Sequence, residues 1–451
     1  MTMPTSTVRG SRITFIACCL AILAVGENST AIMAALPEMA ASLGLAPATM
    51  EWVVNAYLLA AAAFIILGGE MADRLGPRRS SAIGVALFAV ASAAIALAPD
   101  GMVAIGARAL QGLGGAFAVA GTLATMTHTF GEAGRAQAIG AWTGFLMLGF
   151  SIGPLVGGAV THYVGWRFTF WLNVAIMLPA ALALVLQSGE DKRNPGPIDW
   201  RGLALFVCFA TMLVYGLHAL PAVRSAPWTA LGPLALAAIA GAALPWAERS
   251  NVRPMLDFAL FANRHFLLAC LLGFFLMFDI MTLLLYYNLF AQGRDGLGLS
   301  AVGAGLSLVP LSLAFFVFAR LAPRLDAAVG LRPMMVGGSL LLALACAIVW
   351  ASLAPAELAT RTLGLVAAGA GIALPYATSP RIGLAALSPA QVGQGSGVLN
   401  SCSFLGGTVG VTCGGIVFGT AGFAGVLALI ALGALVSAGL SLGLRAAERG
   451  A

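Results

Sequence analysis

The chain has 451 residues, of which 9% are Asp, Glu, Lys or Arg and 60% are hydrophobic, and it carries a formal net charge of +6. A soluble domain carries about a quarter of its residues as charges, so this composition cannot coat a water-facing surface and excludes an ordinary soluble enzyme or binding module. The positive balance does not indicate nucleic acid, because the arginines stand singly at the ends of apolar runs with no basic cluster or stripe.

Lipid cannot satisfy backbone N–H and C=O groups, so apolar runs of about 20 residues fold there as helices. These runs lack the alternation of barrel strands. In chain order the pattern predicts membrane helices over 13–36, 50–70, 80–98, 102–127, 137–160, 167–187, 202–220, 229–247, 266–290, 301–321, 333–353, 362–378, 394–419 and 422–444, fourteen spans in an all-α polytopic protein. Arg9 and Arg12 ahead of the first run resemble a secretory leader, but the run continues to Leu36 and many spans follow, so it reads as a retained first helix. The twelfth span is the most interrupted, by Pro375 and Pro380.

An even number of spans puts both termini on one face. Taking that face as cytoplasmic collects eighteen of the 23 basic residues, Arg9, Lys192, Arg193, Arg253, Arg445 and Arg449 among them. The outer loops receive only Arg167, Arg224, Arg294 and Arg361, and Arg108 lies inside the fourth span. This is the positive-inside bias of a multi-pass protein in a bacterial-type cytoplasmic (inner) membrane. The longest cytoplasmic connections, 187–201 and 248–265, bracket two helices and separate six spans from six. The predicted organisation is an N-terminal six-helix half (1–187), an inserted helix pair with its connections (188–264) and a C-terminal six-helix half (265–451). An internal echo agrees: Met71-Ala72-Asp73-Arg74-Leu75 resembles Leu321-Ala322-Pro323-Arg324-Leu325.

Three motifs carry a resemblance. The segment Gly69-Glu70-Met71-Ala72-Asp73-Arg74-Leu75-Gly76-Pro77-Arg78-Arg79 resembles the loop motif G-x-x-x-D-R-x-G-R-R/K of the major facilitator superfamily, departing only at Pro77. Arg108-Ala109-Leu110-Gln111-Gly112-Leu113-Gly114-Gly115 resembles that superfamily's R-x-x-Q-G-x-G-x element and places a cation about two turns inside the membrane. In the fifth span Gly140, Gly149, Gly153, Pro154, Gly157 and Gly158 match G-x8-G-x3-G-P-x2-G-G, which in this superfamily is associated with antiporters. The resemblance implies the major facilitator fold, with Gly69, Asp73, Arg74, Gly76, Arg78 and Arg79 as a gating loop and the glycines and Pro154 as an antiporter helix that bends between states.

Other stretches resemble the fourteen-helix drug:proton antiporters, among them Trp52-Val53-Val54-Asn55-Ala56-Tyr57, Trp166-Arg167-Phe168, Asp199-Trp200-Arg201-Gly202 and Pro254-Met255-Leu256-Asp257. Two departures stand out. Against the branch's first-helix pattern L-D-x-T-I-V-N-V-A-L-P, Glu27 sits one position early, a rotation of about 100° around the helix. After Gly395-Ser396-Gly397 and Asn400, Ser403 stands where the family often has an arginine.

Glu27 and Asp279 are the acids within spans, and an intramembrane acid is a functional candidate. Glu27 and Arg108 lie at comparable depth, roughly 13 Å and 9 Å from the outer ends of their helices at 1.5 Å per residue, so they can pair. Glu27, Arg108 and Asp279 are the expected proton-coupling residues. Two readings stand for each acid: Glu27 titrates or forms a fixed ion pair, and Asp279 faces Glu27 across a central cavity or bonds a neighbour such as Thr282. Phe278 and Tyr286, with Phe274, Phe275 and Tyr287 on the same helix, either stack on a flat or cationic solute or pack against lipid and neighbouring helices. Asn28, Asn55, Gln111 and Asn400 either line a substrate pathway with Phe278 and Tyr286 or bond between helices.

The seven cysteines lie in apolar stretches without metal spacing and read as packing residues, and the four histidines show no dyad spacing. No Walker loop occurs, so direct ATP use is not expected, and no cofactor or metal is implied. The expected partners are a small-molecule substrate, protons and the lipid bilayer, with no nucleic acid and no obligate protein partner. The expected function is proton-coupled export of a drug-like or amphipathic compound. Transport of a specific metabolite (an amino acid, sugar or organic acid) is the alternative, and a non-transporting sensor or lipid-handling protein lies further off. An enzyme is not expected.

Overall fold

The computed structural model describes residues 5–130, 132–187, 198–249, 251, 254–354, 357–388 and 391–444. Lys192, Arg193, Arg253, Arg445, Arg449, the side chain of Arg9 and the expected boundary at 188 lie outside the described residues. Every regular element among the described residues is helical: α1 (Thr5–Leu43), α2 (Pro47–Met50), α3 (Trp52–Leu75), α4 (Pro77–Ala96), α5 (Gly101–Thr129), α6 (Glu132–Val164), α7 (Trp166–Leu186), α8 (Trp200–His218), α9 (Pro227–Arg249), α10 (Arg264–Gln292), α11 (Ala301–Ser307), α12 (Val309–Val329), α13 (Leu331–Ala351), α14 (Leu358–Ala385) and α15 (Val392–Leu442), with two 3₁₀ turns, Leu220–Ala222 and Phe258–Ala262. Counting α11 with α12, thirteen of these are long and apolar enough to cross a membrane.

Local chemistry sets many of the ends. Asp100, Asp199, Asn263 and Ser300 cap α5, α8, α10 and α11, each side-chain oxygen accepting a first-turn N–H, as Asp100 Oδ1 does from Val103 N at 2.9 Å. Three helix-to-helix turns are a single glycine in nearly one conformation: Gly76 (φ 94°, ψ 142°), Gly165 (φ 101°, ψ 152°) and Gly330 (φ 91°, ψ 157°). A Cβ resists positive φ, so Gly76→Ala is expected to destabilise the protein by about 1–3 kcal/mol. A thermal melt of the purified protein measures this, and an unchanged Tm would mean that the turn relaxes without strain. The echo that aligned Leu75 with Leu325 is offset: the counterpart of Gly76 in conformation is Gly330, because α12 runs about one turn further before its glycine.

α14 runs through Pro375 and Pro380 as one helix to Ala385, past the expected end at 378. Arg361, expected in an outer loop, is buried in its first turns. α15 has 51 residues, roughly 76 Å at 1.5 Å per residue against a hydrocarbon core of about 30 Å. It breaks into two rods at Gly422 (φ 63°, ψ −163°).

The chain divides into two compact units, Met1–Ile198 and Asp199–Ala451. In the first, α1 packs on α6, α7 and α5, α3 packs on α5, and α4 packs on α5 and α7. In the second, α10 packs on α15 and α14, α12 on α14, and α13 on α14 and α15. The two schemes run parallel when α1, α3, α4 and α5 are matched to α10, α12, α13 and α14, and the rods of α15 to α6 and α7. α8 and α9 pack on each other and α8 also on α15, so this pair belongs to the second unit. Lipid supplies no hydrophobic drive between helices, so association rests on close packing of small residues. A methyl group at Gly84 would lie 2.7 Å from Phe117 C, which shows how tightly α4 and α5 approach.

Candidate functional site

Three helices of the first unit meet at one guanidinium, and a fourth joins the cluster through Gln111. Arg108 lies two turns into α5, with Gln111 three residues on and therefore on the same face. Both are fully buried. Arg108 Nε donates to Val53 O of α3 at 2.8 Å, and Nη1 donates to Asn28 Oδ1 of α1 at 2.8 Å and to Gln111 Oε1. The guanidinium carbon stands 4.4 Å from the centroid of the Tyr57 ring, a cation–π contact within the same buried cluster. Gln111 Nε2 donates to Ser92 Oγ of α4 at 2.7 Å, and a hydrogen bond of 3.3 Å joins the Tyr57 and Ser29 hydroxyls. Nη2 of Arg108 is buried without a partner.

Glu27 is not among the partners of Arg108. Asn28 takes that place, because one residue along α1 turns a side chain by about 100°. Asn28 also stands where the drug:proton branch has its aspartate, so the arginine meets a neutral amide at the expected acid position. Glu27 is buried on a different face of α1, and its Oε1 has no hydrogen-bond partner.

The stretch of α1 from Leu23 to Ala31, with Glu27 at its centre, is the seat of α6. A methyl group at Gly149 would overlap Leu23 O and lie 2.8 Å from Glu27 N. One at Gly153 would overlap Thr30 Oγ1 and lie 2.7 Å from Glu27 O, and one at Gly157 would lie 2.6 Å from Ala31 Cα. Pro154 has no N–H, which frees the carbonyl of Phe150 four residues earlier. Thr30 Oγ1 donates to that carbonyl at 3.1 Å, so α1 satisfies the bond that the proline removes. Gly158 is buried, whereas Gly140 is exposed with nothing within 4 Å of the position a Cβ would take.

The loop-motif residues lie at one helix turn. Asp73 and Arg74 end α3, Gly76 makes the turn, and Pro77 occupies the first position of α4 ahead of Arg78 and Arg79. Pro77, the one departure from the motif, suits that position, where a missing N–H has no partner to lose. Gly69 lies earlier on α3 with open space around it.

In the second unit Asp279 is fully buried in α10, and neither carboxyl oxygen has a hydrogen-bond partner. Thr282, a possible partner from the sequence, donates to Phe278 O at 2.6 Å instead, the short local bond its helix offers. Gly433, in the second rod of α15, leaves the room that the Asp279 carboxyl fills. The aromatic residues of α10 are engaged with other rings: Phe275 with Phe278 at 6.4 Å, Tyr286 with Phe418 at 5.3 Å and Tyr287 with Phe423 at 5.9 Å between centroids. Tyr286 OH also donates to Val411 O at 2.6 Å. Asn400 Nδ2 donates to Ser396 O in its own helix at 2.8 Å, and Asn55 is buried in α3.

Two polar clusters were not singled out from the sequence. Asp199 and Glu248 are buried and hydrogen-bonded to each other where α8 begins and α9 ends. Asp199 Oδ1 accepts from Gly202 N at 2.9 Å and Oδ2 from Met255 N at 3.4 Å, while Glu248 Oε1 accepts from Leu256 N at 3.2 Å. Burial alone would raise the Asp199 pKa, but the bonds from Gly202, Glu248, Met255 and Asn251 outweigh it and hold the carboxyl below its usual range. Gln394 of α15 donates to Pro254 O at 2.7 Å, tying the same connection to that helix. The second cluster is Arg361, whose Nη1 donates to Ser352 O at 3.2 Å and Ala354 O at 3.4 Å, so a cation sits at the C-terminal end of α13. The run Asp199-Trp200-Arg201-Gly202 held a signal for the first cluster, as a helix-capping pattern; nothing in the sequence set Arg361 apart from a loop arginine.

The sequence profile of the Major Facilitator Superfamily matches residues 16–411. The multidrug resistance protein Stp of Mycobacterium tuberculosis is 30% identical over 410 residues, covering 89% of this chain and 75% of Stp. The tetracenomycin C resistance and export protein of Streptomyces glaucescens is 30% identical over 410 residues, covering 90% of this chain and 75% of that protein. Among solved structures, the nucleoside transporter NupG aligns with a TM-score of 0.69 at 14% identity over 96% of this chain and 99% of NupG. The xylose transporter XylE from E. coli, in a partially occluded inward open conformation, aligns with a TM-score of 0.66 at 15% identity over 96% of this chain and 99% of XylE. The fold is shared with both.

Proposed function

We propose that this chain, which belongs to the Major Facilitator Superfamily and is therefore a multi-pass membrane transporter and not an enzyme, exports drug-like or amphipathic small molecules in exchange for protons. The observation that carries the reading is the fit of the antiporter glycines, Gly149, Gly153 and Gly157, onto the stretch of α1 from Leu23 to Ala31, with the buried acid Glu27 at its centre. Similarity to a multidrug resistance protein and to an antibiotic export protein supports the direction of transport.

The mechanism that follows is alternating access with fourteen spans and both termini cytoplasmic in a bacterial inner membrane. The two six-helix halves are 1–187 and 265–451, and 188–264 supplies an inserted pair. Gly69, Asp73, Arg74, Gly76, Arg78 and Arg79 form the gating loop, and Asn28, Asn55, Gln111, Phe278, Tyr286 and Asn400 contribute to the substrate pathway. A buried carboxyl without a partner is far less costly as the neutral acid than as the carboxylate. Glu27 and Asp279 are accordingly the acids on which proton binding and release act, while Arg108 is held by Asn28 and Gln111. Loss of the proton from Glu27 creates a charge one residue away from Asn28, and competition for the unpartnered Nη2 of Arg108 then repacks α1 against α5 and α6.

Proton flux in proteoliposomes challenged with lipophilic cations and neutral drugs tests this. Flux that depends on the added compound and is lost in Glu27→Gln or Asp279→Asn assigns the coupling acid. Native protein that moves no protons with any compound rejects the drug:proton reading. A response to a single amino acid, sugar or organic acid instead would establish the alternative, transport of a specific metabolite, a reading that the neutral Asn28 at the branch's acid position favours.

A further inference from the structure

The second unit contains a cavity of about 400 Å³ that takes no part in the coupling mechanism. Its walls come from four segments that converge: Phe206 and Phe209 of α8, Gly241 of α9, Phe258 of the connection that follows, and Val398 and Cys402 of α15. The volume lies within the range of small-ligand pockets, about 300–1,000 Å³. The space is open on one side, where the lining residue Ala238 is exposed. Ser401 and Cys402 are the polar side chains of the lining, and the Cys402 thiol is already hydrogen-bonded to the Cys270 thiol of α10. Apart from these two the lining is apolar, so the space suits an apolar occupant.

The surroundings identify the source. The outer faces of α8 and α9 carry Tyr215, Trp228, Leu236, Ile239 and Trp246, all exposed, as expected of a helix pair bathed in lipid. Phe209 lies on the cavity side, and a methyl group at Gly241 would approach its ring to 3.1 Å, so the glycine lets that ring pack against α9 at the cavity wall. Ala238 of the lining is exposed next to Ile239, so the apolar lining is continuous with the outer face of α9. Below it, the connection that carries Leu256 is fastened to Glu248 at one side and to Gln394 of α15 at the other, which closes one end of the space.

We propose that this cavity is a lipid site in which one acyl chain of a membrane phospholipid fills the space between the α8–α9 pair and α15, cementing the pair to its unit. The chain packs against the small side chains of Ala237 and Ala238 and the ring of Phe209. The site is independent of which acid couples to protons.

Photocrosslinking of the full chain in phosphatidylethanolamine–phosphatidylglycerol vesicles, doped with a phosphatidylcholine bearing a diazirine in its acyl chain, tests the proposal. Peptide mapping is expected to find adducts at the inward positions, Phe206, Phe209, Val398 and Cys402, in addition to the outer face around Ile239. In Ala237→Phe the inward adducts should disappear while the outer ones persist, the latter reporting that the variant is folded and inserted. Adducts confined to the outer face in the native chain would overturn the proposal. So would inward adducts that survive in Ala237→Phe, or inward adducts displaced by ethidium but not by unlabelled phospholipid, which would mark the cavity as a solute site.

Discussion

Arg108→Met is expected to abolish compound-driven proton flux while leaving a folded protein whose stability changes by no more than about 2 kcal/mol. Two opposed effects produce that result. Removing the guanidinium strands Asn28 Oδ1 and Gln111 Oε1, each at about 1–3 kcal/mol. It also removes a buried charge that has no ionic partner among the described residues and one unpartnered nitrogen, and the desolvation of such a charge costs several kcal/mol. Methionine fills much of the same space beside Tyr57. An arginine serving only as a cross-brace would then be dispensable for transport, so native flux from Arg108→Met would refute a role in coupling. Arg108→Lys separates charge from shape: an ammonium cannot present the fork that reaches Val53 O and Asn28 Oδ1 together, and flux well below native is expected from it.

Gly149→Val and Gly157→Val are each expected to lose most of the monodisperse protein recovered after extraction, whereas Gly140→Val should match the native chain. The contrast follows from what each new side chain meets. At Gly149 and Gly157 the obstacles are backbone atoms of α1, which cannot swing aside as a side-chain tip can. Overpacking costs about 1–3 kcal/mol where side chains can adjust, and separating α1 from α6 also breaks the bond from Thr30 to Phe150 O. At Gly140 nothing lies within 4 Å. Size-exclusion profiles and thermal melts of the three variants decide the matter. Equal behaviour of all three would mean that the motif's glycines do not set the α1–α6 distance, and the observation on which the antiport reading rests would fall with it.

Much of this architecture is legible in the sequence. Apolar runs in lipid leave the backbone no alternative to helix, so segment existence and order follow from composition alone. The last pair of expected spans, 394–419 and 422–444, corresponds to the two rods of α15, with the break at Gly422, whose positive φ interrupts the helix. Helix ends were less legible. Several helices extend beyond the apolar core, as α14 does through Pro375 and Pro380, because packed neighbours and not hydropathy decide where the backbone bonds stop.

The local sequence named the polar residues of the first unit and even the complication, an acid displaced by one position. It could not say which of Glu27 and Asn28 meets Arg108, since depth along a helix is read from residue number but azimuth depends on how the helix is rotated against its neighbours. Only the packed structure decides that rotation, through contacts such as Gly149, Gly153 and Gly157 on the backbone of α1. The same holds for Asp279, left without a partner because Thr282 bonds its own helix, and for Arg361, drawn from an expected loop into the end of α13. Family, span order and the identity of the chemistry-bearing residues are properties of the chain itself, because they depend on which side chains water or lipid will accept. The partner each side chain holds depends on distances of a few ångströms between helices far apart in sequence, and no local pattern encodes those.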